Sequence, residues 1–260
     1  MSPRPVLRID ELSKRFGGVR AVDGVSFQVA AGEMLALIGP NGAGKSTCFN
    51  LINGQERADA GRVALQGRDV TGLPPRRIWR LGVGRTFQVA AVFASMTVAE
   101  NVQLALLSRR RRLFGLWRRA RAQQREAALA LLDEIGMADF ADRPCDTLAY
   151  GDVKRAELAI ALANQPGLLL MDEPTAGMAP KERDRLMALA ARIARERGIA
   201  VLFTEHDMDV VFGHADRIVV LDRGRMIAEG APESVRADPN VQAVYLGEDA
   251  AGRPPEALPC

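Results

Sequence analysis

The chain has 260 residues, 48% hydrophobic and 26% charged, with a formal net charge of +3. That balance excludes a chain disordered along most of its length and supplies no global field that would mark a nucleic-acid binder. Cys48, Cys145 and Cys260 are odd in number and far apart; they build neither a disulfide framework nor a metal-ligand spacing, and a reducing compartment is expected.

Met1 to Asp10 lacks the apolar core of a signal peptide, and the longest uncharged stretches, such as Thr86 to Ala99, fall short of a membrane span. Val6–Ile9, Val25–Val29 and Arg62–Leu65 are short β-type segments bounded by glycine, the pattern of an antiparallel lobe. Between them, Met34–Ile38 predicts a buried strand. It runs directly into Gly39-Pro40-Asn41-Gly42-Ala43-Gly44-Lys45-Ser46-Thr47, which contains G-x-x-x-x-G-K-[ST]. Ser46–Asn53 has no proline or internal glycine and predicts a helix. Strand, glycine loop and helix start together form a phosphate cradle, because successive N–H groups and the helix dipole face an anion. Lys45 then reaches the outer phosphates, and the Ser46 hydroxyl is placed to ligate magnesium. Cys48 reads as a small core residue.

From Thr97 to Gln165 the strand signal nearly vanishes, and Leu129, Leu132 and Ile135 recur at helical spacing. Inside that span, Arg109–Arg112 with Arg118, Arg119 and Arg121 form a basic stretch. It reads as a solvated surface, with anionic headgroups or an acidic partner loop as the alternative, each charge there being worth about 1 kcal/mol. Trp79 is expected to pack at the edge of the antiparallel lobe, and His214 to be structural. Leu168–Met171 predicts a strand delivering Asp172 and Glu173 to its carboxyl end: Asp172 for the magnesium shell, Glu173 to orient or deprotonate an attacking water. Lys181–Arg197 predicts an amphipathic helix with Leu186, Leu189 and Ile193 on one face. Ala200–Phe203 and Ile218–Leu221 predict further strands, ending before Glu205-His206 and at Asp222. Apolar runs alternating with helical patterns make an α/β fold with a mainly parallel sheet. The stretch Gly247–Cys260, with three prolines and two glycines, is expected to be disordered.

Across residues 4–247 these motifs resemble the nucleotide-binding subunit of an ATP-binding-cassette (ABC) transporter. The resemblance implies a phosphate-loop NTPase fold with an antiparallel β lobe. It implies a single ATPase domain over 4–247, a helical subdomain at about 97–165, and a tail at 248–260. Thr86-Phe87-Gln88 is similar to the family's glutamine loop, Gln88 contacting magnesium and sensing the transmembrane partner. Leu148-Ala149-Tyr150-Gly151-Asp152 stands where the signature motif belongs, Thr175–Ala179 where the dimer-contact loop belongs. His206 matches the switch histidine, and Phe16 falls where a ring stacks on adenine. ATP and Mg2+ are implied, held head to tail between one subunit's phosphate loop and another's signature. Gly151 would open a helix to about Ala163, its N-terminus facing a phosphate. Three positions depart from the family: Ala149 replaces serine, Asp152 glutamine and Ala179 aspartate. Asp152 either adds an anion near the phosphate or caps the helix.

Arg85-Thr86-Phe87-Gln88, Ala149-Tyr150-Gly151-Asp152, Glu205-His206-Asp207-Met208 and Val244-Tyr245-Leu246-Gly247 are similar to the importers of branched-chain and other hydrophobic amino acids. The long segment from Val102 to Thr147 is similar to the longer of that system's two cassettes. The implied partners are two transmembrane permeases, a second cassette of the same or a different kind, and a periplasmic or extracellular substrate-binding protein. Nucleic acid is not expected. The implied location is cytoplasmic, on the inner face of the membrane. A lipopolysaccharide exporter, a urea or amide importer and a non-transport ABC ATPase are the alternatives.

Overall fold

The computed structural model describes residues 5–86, 92–109 and 117–251. Its first part holds β1 (Leu7–Phe16), β2 (Val19–Val29), β3 (Met34–Ile38), α1 (Lys45–Ile52), β4 (Ala60–Leu65) and β5 (Arg68–Asp69). There follow α2 (Pro75–Arg80), β6 (Val83–Thr86), α3 (Val98–Arg109), α4 (Trp117–Glu134) and α5 (Tyr150–Leu162). The rest comprises β7 (Leu168–Asp172), α6 (Pro180–Arg197), β8 (Ala200–Thr204), α7 (Met208–His214), β9 (Arg217–Asp222), β10 (Arg225–Gly230), α8 (Pro232–Ala237) and α9 (Pro239–Ala251).

Two sheets result. One is antiparallel, in the order β2-β1-β4-β5; the other has the order β10-β9-β3-β8-β7-β6. In the second, β9, β3, β8, β7 and β6 run parallel, and β10 adds one antiparallel edge. The fold is therefore α/β, mainly parallel at its centre, with an antiparallel lobe.

Buried on both faces, the parallel strands read as continuous apolar runs. Successive side chains still alternate between two cores. Met34, Ala36 and Ile38 of β3 join α5 residues Ala156, Leu158 and Ala159 and α6 residues Leu186, Met187 and Ala190. Leu35 and Leu37 point the other way, to Cys48, Phe49 and Ile52 of α1 and to Leu7, Val25 and Phe27 of the antiparallel lobe. Helices α1 and α5 thus lie on opposite faces of one sheet.

Local chemistry sets the helix limits. Thr97 and Glu100 form a reciprocal capping box at α3, with Thr97 N to Glu100 Oε2 at 2.9 Å and Glu100 N to Thr97 Oγ1 at 3.2 Å. Helix α6 begins with Pro180 in its first turn and ends at Gly198 in the left-handed region, φ 65°. Among the described residues no helix is long and apolar enough to cross a membrane.

The structure bears out some expectations, extends others and corrects a few. The antiparallel strands β1 and β2 are 10 and 11 residues long, well beyond the segments read from hydrophobicity. Strands β6 and β10 were not anticipated. Helix α9 continues through Ala251, beyond Gly247, so 248–251 are helical rather than tail. Trp79 lies in α2, and its carbonyl accepts from Asn164 Nδ2 at 2.6 Å, tying α2 to the end of α5. Of the basic stretch, Arg109 ends α3 and Arg118, Arg119 and Arg121 fall in α4, while Arg110–Arg112 lie outside the described residues. Cys48 is fully buried, and burial pushes its thiol up to about 12, as a core residue requires.

Phe203, fully buried on β8, packs beneath the edge where Thr204, Glu205 and His206 emerge. Phe203→Ala is expected to destabilise the chain by about 3–5 kcal/mol, read from urea unfolding. A loss below about 1 kcal/mol would show that β8 is not at the centre of the core.

Candidate active site

Three neighbouring parallel strands, β3, β8 and β7, bring their carboxyl ends to one edge of the sheet, the edge where open α/β sheets bind ligands. From β3 comes the phosphate loop. A Cβ on Gly39 would lie 2.1 Å from the Leu221 carbonyl oxygen, and one on Gly44 would lie 2.2 Å from the Ala21 carbonyl oxygen. Both residues also have positive φ, 147° and 104°. Glycine is required there by contact as well as by backbone shape. Gly42 has φ 78° but open space around it. Ala43 is buried; Pro40, Asn41, Ser46 and Thr47 are wholly or partly accessible. Lys45 is 7% exposed and donates to the carbonyls of Gly39 and, at 3.0 Å, Pro40. No side chain caps α1 at Gly44, which leaves its first N–H groups directed at a ligand position.

The ends of strands β7 and β8 bring two carboxylates and an imidazole to the same edge. Asp172 Oδ1 accepts from Thr204 Oγ1 at 2.9 Å, and Oδ2 accepts from Arg85 Nη2 at 3.2 Å. Arg85, on β6, also donates to Gln55 Oε1 at 2.7 Å and Asn50 Oδ1 at 3.3 Å, so one guanidinium joins the acidic strand to the phosphate-loop helix. Glu173 has φ 48°, uncommon for a residue with a side chain. Its amide is held by Thr204 Oγ1 at 3.1 Å. Glu173 Oε1 meets His206 Nε2 at 2.8 Å, and the His206 side chain is 51% exposed. A carboxylate and an imidazole thus share a contact at the solvent edge, an arrangement able to orient a water and move a proton.

The remaining expected residues fall in two places. Phe16 is 45% exposed at the end of β1, with Lys14 Nζ 5.3 Å from its ring centre, in the hairpin whose Ala21 abuts Gly44. Ala149, exposed, and Gly151, buried, open α5 on the opposite face of the sheet. Asp152 makes no cap; it pairs with Arg155 one turn on, which neutralises it. The backbone of Gly151 lies against α6, since a Cβ there would come 3.3 Å from the Glu182 carboxyl carbon. Tyr150 lies beside Gly177 in the same way, at 3.6 Å, so signature and dimer-contact loop adjoin within the chain. Gln88 lies outside the described residues. His214 Nε2 is 2.9 Å from Asp184 Oδ1, a surface tie between α7 and α6.

Among the described residues no three His, Cys, Asp or Glu side chains cluster as a metal cage. Asp172 and the exposed Ser46 hydroxyl are instead the sparse oxygen set that suits a magnesium ion carried largely by phosphates and water. The sequence places Glu205 after a strand and sets Arg85 and Thr175 within resembled motifs, but it does not show the hydrogen bonds by which Arg85, Thr175, Thr204 and Glu205 tie this edge together. Their partners are 30 or more residues away in the chain, and nothing local announces them.

The ABC transporter family matches residues 22–176, well over half of the chain. The chain belongs to that family. A second family, the branched-chain amino acid ATP-binding cassette transporters, matches residues 225–251. The high-affinity branched-chain amino acid transport ATP-binding protein BraF of Pseudomonas aeruginosa is 41% identical over 252 residues, covering 94% of this chain and 99% of the relative. The ADP conformation of MJ1267, an ATP-binding cassette of an ABC transporter, is 33% identical with a TM-score of 0.84, covering 94% of this chain and 99% of that one. A dimeric post-hydrolysis state of the cassette MJ0796 bound to ADP and Pi is 26% identical, TM-score 0.74, covering 87% and 98%. The cassette is an ABC transporter ATPase of the branched-chain amino acid transporter branch.

Two glycine substitutions separate contact from conformation. Gly42→Ala, in open space, is expected to cost about 1–2 kcal/mol, the penalty of a left-handed alanine. Gly44→Ala adds a clash with the Ala21 carbonyl and is expected to destabilise more and to abolish nucleotide binding, read by thermal unfolding and a fluorescent ATP analogue. Equal effects of the two would remove the contact from the account.

Proposed function

We propose that this cassette hydrolyses ATP to drive import of branched-chain or other hydrophobic amino acids, as one of two cassettes beneath a pair of permeases. The observation that carries the ATPase half is the common sheet edge: phosphate loop, Asp172, and Glu173 against His206. The cargo rests on the match of residues 225–251 and on the printed function of BraF. A binding protein outside the membrane would deliver the amino acid.

In this reading Lys45 exchanges its two loop carbonyls for phosphate oxygens, at little cost because the cation is already desolvated and paired. The N–H groups from Gly42 to Thr47 cradle the anion, and Phe16 offers its exposed ring to adenine. Ser46, Asp172 and Gln88 would hold Mg2+, which when bound supplies positive charge to the phosphates. Glu173 orients the attacking water and accepts its proton. His206 contacts the terminal phosphate, leaving Glu173 to do so. Ala149 and Gly151 begin α5 on the far face of the sheet and therefore serve a second cassette's nucleotide. The similar cassette MJ0796 is itself dimeric in its ADP- and Pi-bound state. Lacking a hydroxyl at Ala149, the signature contact is made by backbone N–H groups alone. Arg155 removes the repulsion that Asp152 would otherwise exert on a phosphate.

Turnover by the cassette assembled with its permeases provides the test. Glu173→Gln is expected to lower it by roughly 100-fold or more while ATP still binds, since shape survives but the base does not. Lys45→Ala is expected to weaken ATP binding itself. Normal turnover in Glu173→Gln would contradict the catalytic assignment. Uptake of labelled leucine, urea or amide in vesicles carrying the whole system then decides the cargo.

A further inference from the structure

Glu205 stands between Thr204, which holds Asp172, and His206, which meets Glu173, and its own side chain turns inward to 5% exposure. A carboxylate taken out of water must be met by donors. Glu205 Oε1 accepts from the Thr175 amide at 2.8 Å and from Thr175 Oγ1 at 2.7 Å, and the His206 amide also bonds the carboxylate. Burial pushes this carboxyl above its usual range, opposed by those hydrogen bonds. Thr175 is 1% exposed and lies two residues past Glu173, in the loop leading to Ala179.

The loops leaving β7 and β8 are therefore tied at successive levels. Thr204 Oγ1 donates to Asp172; the Glu173 amide donates to Thr204; Thr175 donates to Glu205; His206 meets Glu173. Only the last of these ties is at the surface, with its imidazole half exposed. Were that surface tie to open, the buried Glu205–Thr175 pair would remain between the two loops. Within the chain the same loop is also met at Gly177 by the Tyr150 ring and at the Ala179 amide by Glu182 Oε2, 3.4 Å away.

We propose that Glu205 is a positioning residue: through Thr175 it makes the dimer-contact loop 175–179 and the switch loop of His206 one body. Glu173 and His206 then keep their mutual placement while their direct contact is exchanged. This rests on the ATPase reading above.

The test uses the full chain assembled with its permeases and compares Glu205→Ala, Thr175→Val, Thr175→Ser and Glu173→Gln. Glu205→Ala and Thr175→Val are each expected to lower kcat roughly 10- to 100-fold, the effect of a small misplacement of reacting groups. KM for ATP is expected to stay within about two-fold. Thr175→Ser, keeping amide and hydroxyl, is expected within about two-fold of wild type, and Glu205→Ala with Thr175→Val no slower than the slower single variant. Without nucleotide, amide exchange at Thr175 is expected to accelerate in Glu205→Ala. Unchanged kcat in a destabilised Glu205→Ala would make the residue merely structural and overturn the proposal, as would a raised KM at constant kcat. If Glu205→Ala fails to fold, the near-isosteric Thr175→Val against Thr175→Ser decides by the same criteria. Normal turnover in Glu173→Gln brings down the ATPase reading itself; an inactive Glu173→Gln beside fully active Glu205→Ala and Thr175→Val brings down this inference alone.

Discussion

Two backbone contacts at the phosphate loop govern the geometry of everything around it. Gly39 is pressed onto the carbonyl of Leu221 and Gly44 onto that of Ala21. The first fixes the loop against the end of β9, the second against β2 of the antiparallel lobe. No side chain fits at either position, and the Gly224 amide donates to the Ala43 carbonyl at 3.0 Å, tying the loop to the turn after β9. The same junction is closed by Asp23 N to the Gly224 carbonyl at 2.8 Å, and by Arg225 and Arg20 on the Asp23 carboxylate, which hold it below its usual range. The antiparallel lobe, with Phe16 at the end of β1, is thereby held in place on the parallel sheet.

The second consequence is directional. Alternation along β3, β7 and β8 sends neighbouring side chains into two separate cores. The phosphate-loop helix packs into one and the signature helix into the other. In the proposed reading a nucleotide on Lys45 lies at the sheet's edge on the side of α1, the N-terminus of α5 lies on the other side, and a second cassette would bring such halves together. The dimer-contact loop lies between them, beside Tyr150 of the signature at one end and tied to Glu205 at the other.

Much of the edge was legible in the sequence because its chemistry is contiguous. Gly39 to Ser46 is one run, Asp172 and Glu173 close an apolar strand, and His206 follows another. The antiparallel lobe was legible only in part. Strand β1 continues through Asp10 to Phe16, where charged residues and register shifts interrupt alternation, and Glu11 itself has φ 49°. Strand β6 was hidden because Gly84 and Arg85 carry little strand signal; both are explained only by tertiary contacts, Gly84 against the Ala161 carbonyl and Arg85 onto Asp172. Glu205 is the sharpest case. A glutamate beside a histidine reads as a polar loop, and only a threonine 30 residues upstream shows that it is buried.

The central claim, that this chain's phosphate loop and signature belong to different composite sites, is tested most directly by oxidative cross-linking in the assembled transporter. Cysteine is placed at Ala149 and at Asn41, with Cys260 replaced by serine; Cys48 and Cys145 are buried and remain silent. Where the native dimer is mixed, the second cysteine goes into the partner cassette's phosphate loop. The account predicts an ATP-dependent cross-linked species containing two cassettes. A cross-link formed within a single chain, or one between chains that is indifferent to ATP, would contradict it.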